Sequence, residues 1–443
     1  MQDKLYFKIG IIALLSVILL LPLSMIESQI AARSHRQTQV IHNIAESAAG
    51  AQTLVGPVLG IQYRERVLRR KPDQSGESTE LIDRTMIVPA QRLNVEGEIG
   101  TEIRSRGLYQ ARLFHLGANL VGSIDLAAHL GIEASRHVQD IRAFIVFGVA
   151  DVRGITNDPE IVVNGQKHRF IPGTRSFIGG NGVHLTLGTI DIEKAQRFEF
   201  SFPLRLNGSE RLAIAPTASA TSVALKSNWP HPSFQGRFLP TKREISANGF
   251  DAQWQVSHLA RNLDLALAAG TNTGNSETLD ISFVSPVNVY LKAERAVKYG
   301  VLFVVLTFAA FFVTEVLRRL PIHPMQYLLV GLALAIFFLL LVALSEHVPF
   351  LTAYVVSAAG CVTLIGAYLS GVLGSRWRGA IFGSGIAALY GVLYGVLVSE
   401  DNALLMGTLI LFVALGSVMI ATRRFDWYRL GVSASTTTVA SEN

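Results

Sequence analysis

The sequence predicts a membrane protein of the α+β class: six transmembrane helices with a large β-sandwich-like domain inserted between the first and second. Three observations predict it. Apolar runs of about 20 residues, the length that crosses a ~30 Å hydrocarbon layer as a helix, occur at the N-terminus and repeatedly in the last third of the chain. The long stretch between the first and second runs is polar and alternates with period two. Lysine and arginine in the short connections fall on alternate segments. The composition agrees, because 443 residues that are 50% apolar and 16% charged, with a mean hydropathy of +0.36, suit neither an ordinary soluble enzyme nor a disordered chain. The single cysteine, Cys361, excludes an intramolecular disulfide and a Cys-based zinc or iron–sulfur cage.

The first run, Ile9–Ile26, follows Lys4 and Lys8. A secretory signal has the same basic start, but its apolar core is about 7–15 residues long. Ser24-Met25-Ile26-Glu27 offers no small-x-small cleavage site, so the run is predicted to stay as an anchor. The other runs are Val297–Leu317, Met325–Leu344, Val348–Leu373, Ala380–Val398 and Ala403–Thr422. In lipid, a single segment satisfies its backbone polar groups only as a helix.

With a cytoplasmic N-terminus, the inside segments carry Lys4, Lys8, Arg318, Arg319, Arg376, Arg378, Arg423, Arg424 and Arg429. The short outside loops carry Glu346, Glu400 and Asp401 instead. This is the positive-inside pattern. It predicts a cytoplasmic N-terminus and first helix over 1–26, an external β-rich domain over 27–296, a five-helix bundle over 297–422 and a cytoplasmic tail over 423–443. Much of the net charge of +6 is thereby a topology signal, which removes the case for nucleic-acid binding.

Within the external stretch, Ile30, Gln37, Ile41, Ile44 and Ala48 fall near a 3.6-residue period, predicting a helix that continues past the first run until Gly56-Pro57 stops it. Phe198, Phe200, Phe202, Leu204 and Leu206 alternate with polar residues as a half-buried strand, and Pro203 predicts an edge or a bulge. Asn207-Gly208 is predicted to turn the chain toward Leu212 and Ile214. Asn164-Gly165, between Ile161–Val163 and His168–Ile171, predicts a type I′ hairpin. Further strands are predicted at Ile87–Val95, Ala111–Leu116, Ala143–Val149, Val183–Leu187 and Leu279–Val284. A domain of this size is stabilised by its own apolar core without disulfides.

Several longer segments carry a family resemblance. Ser227-Asn228-Trp229-Pro230-His231-Pro232-Ser233-Phe234, Phe238-Leu239-Pro240 and Lys242-Arg243-Glu244 resemble a signature of the CreD family of bacterial inner-membrane proteins. So do His323-Pro324-Met325-Gln326-Tyr327-Leu328-Leu329-Val330-Gly331-Leu332, Leu344-Ser345-Glu346-His347, Ala403-Leu404-Leu405-Met406-Gly407-Thr408 and Asp426-Trp427-Tyr428. Leu54-Val55-Gly56-Pro57 and Arg153-Gly154-Ile155 match as well. The resemblance implies a two-component-regulated protein linked to cell-envelope integrity and to colicin and β-lactam tolerance. It implies no reaction and no catalytic residues. The Ser/Thr-rich tail from Ser433 lies beyond it.

Few residues invite chemistry. Glu315 is the one acidic residue inside a predicted span, which makes it a functional candidate. Its spacing to Arg318 and Arg319 equally predicts a snorkelling ion pair. Ser345, Glu346 and His347 mark the outer end of the third span, either as an interfacial cap or as a contact with the external domain or a lipid headgroup. Trp229 and His231 sit in a stiff two-proline segment that either packs into the core or docks on a membrane, glycan or partner. Gly379, Gly383, Ala387, Gly391 and Gly395 recur every fourth residue, a small-residue ridge for bundle packing or a homodimer seam. Arg64, Arg66, Arg69, Arg70 and Lys71 form a basic run, either a solvated strand or a contact with anionic headgroups. HExxH, GxSxG, Walker A and GxGxxG motifs are absent from the sequence. The reading is therefore non-enzymatic, with no cofactor and no metal. The expected partners are the lipid bilayer and an envelope component or protein, with homo-oligomers open. The alternative is a lipid or small-molecule translocator, which requires a polar cavity lined by several spans.

Overall fold

The computed structural model describes residues 2–70, 77–131, 137–260, 277–283, 289–318, 322–399 and 403–423. Lys71, Val284, Arg319, Glu400, Asp401, Arg424, Asp426-Trp427-Tyr428, Arg429 and the tail from Ser433 lie outside the described residues. The helices are α1 (Gln2–Ile18), α2 (Leu20–Ala48), α3 (Val289–Arg318), α4 (Pro324–Ser345), α5 (Phe350–Val372), α6 (Arg376–Val398) and α7 (Ala403–Thr422). The chain divides into two compact units: Met1–Gln37 with Val287–Asn443, and Thr38–Pro286.

In the helical unit, α1 and α2 form one nearly continuous rod. Leu19 N donates to Leu15 O at 3.0 Å, and Leu23 N donates to Leu19 O at 3.3 Å. The irregularity falls beside Pro22, which has no N–H for the carbonyl one turn back. Five helical stretches are long and apolar enough to cross a membrane: Phe7–Ala48, Val289–Val316, Pro324–Ser345, Phe350–Val372 and Arg376–Val398. In α7 the apolar part is shorter, Leu405–Ser417.

The interior of this unit is aromatic. Phe303, Phe308 and Phe311 of α3, Tyr327, Phe337 and Phe338 of α4, Tyr354 of α5 and Tyr390 of α6 are all buried. Phe311 and Tyr327 lie 4.7 Å apart by ring centroid, and Phe337 and Tyr390 lie 4.3 Å apart. Three polar groups among these rings bond in sequence, while the buried hydroxyls of Thr307 and Ser357 have no partner among the described residues. Tyr354 OH donates to Tyr390 O at 2.6 Å, Tyr390 OH to Cys361 Sγ at 3.2 Å, and the Cys361 thiol to Ala333 O at 3.4 Å. The His323-Pro324-Met325-Gln326 segment is a capping box. His323 Nδ1 accepts from Met325 N at 3.2 Å, and Gln326 Oε1 accepts from His323 N at 3.1 Å.

The second unit holds the strands β1 (Gln52–Arg70), β2 (Glu77–Pro89), β3 (Arg92–Arg106), β4 (Tyr109–Leu126), β5 (His137–Val149), β6 (Glu160–Val163), β7 (Gln166–Arg169) and β8 (Ile171–Pro172). They continue with β9 (Gly182–Gly188), β10 (Gln196–Ser209), β11 (Arg211–Ala215), β12 (Ala220–Ser227), β13 (Ser233–Gly236), β14 (Lys242–Ser246), β15 (Gly249–Ser257) and β16 (Leu279–Ser282). Two eight-stranded sheets result. The first runs β13-β16-β11-β1-β5-β9-β8, with β2 on β1; the second runs β14-β15-β12-β3-β4-β10-β6-β7. One hydrophobic cluster takes Leu54, Ile61, Phe147 and Ile281 from the first sheet and Leu93, Leu120, Phe200, Phe202 and Trp254 from the second. Burying a side chain of this size contributes about 1.5–3 kcal/mol. Gln52 ties the layers polar group by polar group. Buried completely in β1, it donates to Asp151 O and to Asn207 O, both at 3.1 Å, and accepts from Asp151 N at 3.2 Å.

Three local expectations change. The helix ends at Ala48, not at Gly56-Pro57, which lies inside β1 where the pairing with β5 slips between Val55 and Val58. Ile87–Val95 is not one strand. Its two halves belong to β2 in the first sheet and β3 in the second, with Ala90 and Gln91 between them. Asn207-Gly208 does not turn the chain. Both residues stay in β10, and Glu210 makes the turn with φ +60°. Gly208 is needed because a Cβ there would run into the ring of Phe114. Pro203 sits in a strand paired along its full length with β4, but β6 pairs only with Phe200 and Ser201, so Pro203 occupies a locally open edge. The Asn164-Gly165 hairpin forms as expected, with φ +49° and +83°.

Candidate functional site

A long concavity lies on the face of the second sheet turned away from the core. In each strand the core face takes the apolar residues: Leu93 and Val95, Leu120 and Ile124, Phe198 and Phe200, Val223 and Leu225, Trp254 and Val256. Period two then forces their neighbours outward. Register aligns those neighbours into two rows across the strands. One row runs Ser257, Ala220, Arg92, Ser123, Glu199; the other runs Gln255, Ser222, Asn94, Val121, Ser201, Val162. With neighbouring strands ~4.8 Å apart, six strands give a floor about 24 Å long.

Most of these side chains are short, Arg92, Glu199 and Gln255 apart, and they leave a trough of about 1110 Å³. The Asn164-Gly165 turn closes one end. Asn164 Oδ1 accepts from Glu199 N at 2.8 Å, and its Nδ2 donates to Arg197 O at 3.0 Å. Arg197 donates to Ser123 Oγ at 3.3 Å and pairs with Asp125 at 3.4 Å. Arg92 is exposed and has no ion-pair partner among the described residues. Serine hydroxyls and Asn/Gln amides both donate and accept, so the floor can hydrogen-bond a hydroxyl- or amide-rich ligand along its length.

The predicted residues lie elsewhere. Trp229 is buried in the core cluster, and the guanidinium of Arg112 sits 3.6 Å from its ring centroid. Burial lowers the Arg112 pKa from its ordinary value. His231 packs edge-on against Trp229 at 5.5 Å and is itself exposed. Glu315 is buried and pairs with Lys8 of α1, while Tyr327 OH donates to its Oε2 at 2.7 Å. Lys8 also donates to Ile322 O at 2.8 Å. Of the expected partners, Arg319 and the side chain of Arg318 fall outside the described residues.

Ser345, Glu346 and His347 do not act as one group. Ser345 Oγ donates back to Val342 O at 2.9 Å. Glu346 receives both Arg33 Nη1, at 3.2 Å to each oxygen, and Tyr290 OH at 2.9 Å. His347 is exposed. The glycine ridge is also divided. A Cβ on Gly379 would stand 2.8 Å from Gly366 O, and one on Gly383 would stand 3.7 Å from Gly366 Cα, so this half is the close crossing of α5 and α6. Ala387 and Gly391 instead line an apolar groove with Tyr354, Tyr390 and Tyr394, and Gly395 faces Met406 of α7. Arg64 pairs with Asp83 and Asp140, as a solvated strand does. No group of three His, Cys, Asp or Glu side chains is placed to hold a metal among the described residues.

Residues 4–428 match the family described as Inner membrane protein CreD. The chain belongs to the CreD family. A CreD protein of Escherichia coli (strain K12), Inner membrane protein CreD, is 36% identical over 430 residues, covering 97% of this chain and 95% of its own length. With several apolar helices long enough to span, this CreD chain is a multi-pass inner-membrane protein. Among solved structures, the M1 zinc metallopeptidase of Deinococcus radiodurans aligns at 8% identity over 44% of this chain and 42% of its own, with a TM-score of 0.22. A substrate-bound mutant of that peptidase aligns at 10% identity over the same shares, with a TM-score of 0.21. Likenesses this low carry no argument about the CreD fold or activity.

Sequence reasoning missed the CreD trough, Gln52, Lys8, Arg33, Tyr290 and Tyr327. Lys8 and Arg33 carried a signal, as cations flanking the first apolar run. The trough residues carried one only through cross-strand register.

Proposed function

We propose that this chain is a non-enzymatic, six-span envelope-integrity protein with both termini cytoplasmic, whose β-rich unit faces the periplasm and recognises an envelope component. The domain limits follow the sequence reading: 27–296 outside, 297–422 as the bundle. The trough on the second sheet carries the recognition half of this reading. It is long and open, and its floor mixes hydrogen-bonding side chains such as Asn94, Ser222 and Ser201 with apolar ones such as Ala220, Val121 and Val162, which suits an extended component that carries both polar groups and apolar faces. Stress response, two-component control and the colicin and β-lactam links come with the family resemblance. The aromatic filling of the bundle supports an anchoring role over the translocator reading, since Glu315 and Ser345 are both engaged in closed contacts.

The test is in-cell photo-crosslinking of the full chain from Asn94 and Ser222 on the trough floor, with Ile103, exposed in β3 outside the trough, as the comparison site. The expected result is one identified envelope component captured from the two floor positions and not from Ile103. Equal capture from all three, or none from the floor, overturns it.

A further inference from the structure

A second groove lies wholly within the helical unit. On α2, Ile26, Gln29, Ile30 and Arg33 share one face by their three- and four-residue spacing. On α4, Leu339, Val342 and Ala343 do the same with Glu346, the residue that caps its C-terminus, and His347 completes the lining. The space between them is about 410 Å³, within the ~300–1,000 Å³ range of small-ligand pockets. Both helices run from apolar to charged in the same sense over about 10 Å of rise. The groove is therefore greasy at one end and polar at the other, and it sits where the apolar runs of both helices finish.

At the polar end, Arg33 uses only Nη1 on Glu346 among the described residues. Its side chain is 45% exposed, so Nε and Nη2 remain available as donors. Arg33 and Glu346 together are neutral, so a second net negative charge gains nothing there. We propose that this groove seats one zwitterionic phospholipid. Its phosphate accepts from the free guanidinium N–H groups of Arg33, its ammonium lies at the rim beside the Glu346 carboxylate, which is 8% exposed and also takes Tyr290 OH, and an acyl chain lies along Ile26, Ile30, Leu339 and Val342. This is a binding site, separate from the trough and independent of what the trough recognises.

The test is native mass spectrometry of the purified full chain with phosphatidylethanolamine or phosphatidylglycerol, using three variants. Arg33→Gln removes the phosphate donors. Ala343→Phe fills the groove while leaving the Arg33–Glu346 pair intact. Leu364→Phe alters an exposed position on α5 away from the groove. The expected result is one retained phosphatidylethanolamine, bound about tenfold more weakly in Arg33→Gln and Ala343→Phe, as loss of a charge-assisted hydrogen bond or of the space implies, and unchanged in Leu364→Phe. If Arg33→Gln fails to fold, Ala343→Phe decides alone. Undiminished binding in Ala343→Phe, or phosphatidylglycerol bound as well as phosphatidylethanolamine, overturns the proposal.

Discussion

The Tyr327 hydroxyl donates to Glu315 Oε2 at 2.7 Å, and the same carboxylate takes the ammonium of Lys8. Three helices thus meet at one carboxylate. Removing one partner of a largely buried pair leaves the other charge uncompensated, which costs up to about 3–5 kcal/mol. Glu315→Ala should therefore lower the thermal midpoint of the purified chain strongly. Tyr327→Phe should cost about 1 kcal/mol. The double variant Lys8→Met/Glu315→Leu should be closer to wild type than Glu315→Ala alone, and a midpoint that fell further would refute the clamp.

Gly379 and Gly391 belong to one ridge but should respond in opposite ways. A Cβ at Gly379 has Gly366 O at 2.8 Å and must push α5 and α6 apart, whereas one at Gly391 meets nothing within 4 Å. Gly379→Ala should destabilise the chain. Gly391→Ala should be neutral or stabilising by up to ~1 kcal/mol through helix propensity. Thermal unfolding separates the two. Loss of an oligomer in Gly391→Leu on size-exclusion chromatography would show instead that this half of the ridge is a seam between copies.

Trp229 should behave as core. Replacing a buried tryptophan by alanine costs about 3–5 kcal/mol, and Trp229→Ala also strips the ring from under Arg112. His231→Ala should fall within about 0.5 kcal/mol of wild type, as an exposed position does. Denaturant unfolding of the full chain measures both.

Asp151 gives the β-rich unit an acid-sensitive contact. The hydrogen bonds from Arg153, with Nη2 at 2.6 Å from Oδ2, hold the Asp151 carboxyl below its ordinary value. Its folded pKa is depressed, so the stabilisation is present above the unfolded carboxylate's pKa. It is lost as pH falls through the lower, folded value. Arg153→Gln should reduce stability at neutral pH and shrink its difference from wild type in acid. A difference that stayed constant from neutral to acid pH would contradict this.

Much of the helical unit was legible in the sequence, because a long apolar helix announces itself by length alone: Met325–Leu344 and Val348–Leu373 lie within two residues of the ends of α4 and α5. The strands were legible where alternation was clean, as at Phe198–Leu206. They were misread where a glycine serves close packing instead of a turn, as Gly208 does beneath Phe114, and where one apolar run crosses from one sheet to the other, as at Ile87–Val95. The trough was invisible for a different reason. Ser257, Arg92 and Ser123 lie far apart along the chain and meet only through the pairing of β15, β12, β3 and β4, which no local pattern encodes.

Lys8 and Arg33 stand 25 residues apart on the α1–α2 rod, about 37 Å by helical rise, and each is held by a carboxylate with a tyrosine beside it. A piston stroke of this rod by even one turn would have to break both ion pairs at once. The two clamps therefore hold the rod in one register against the helices that carry Glu315 and Glu346.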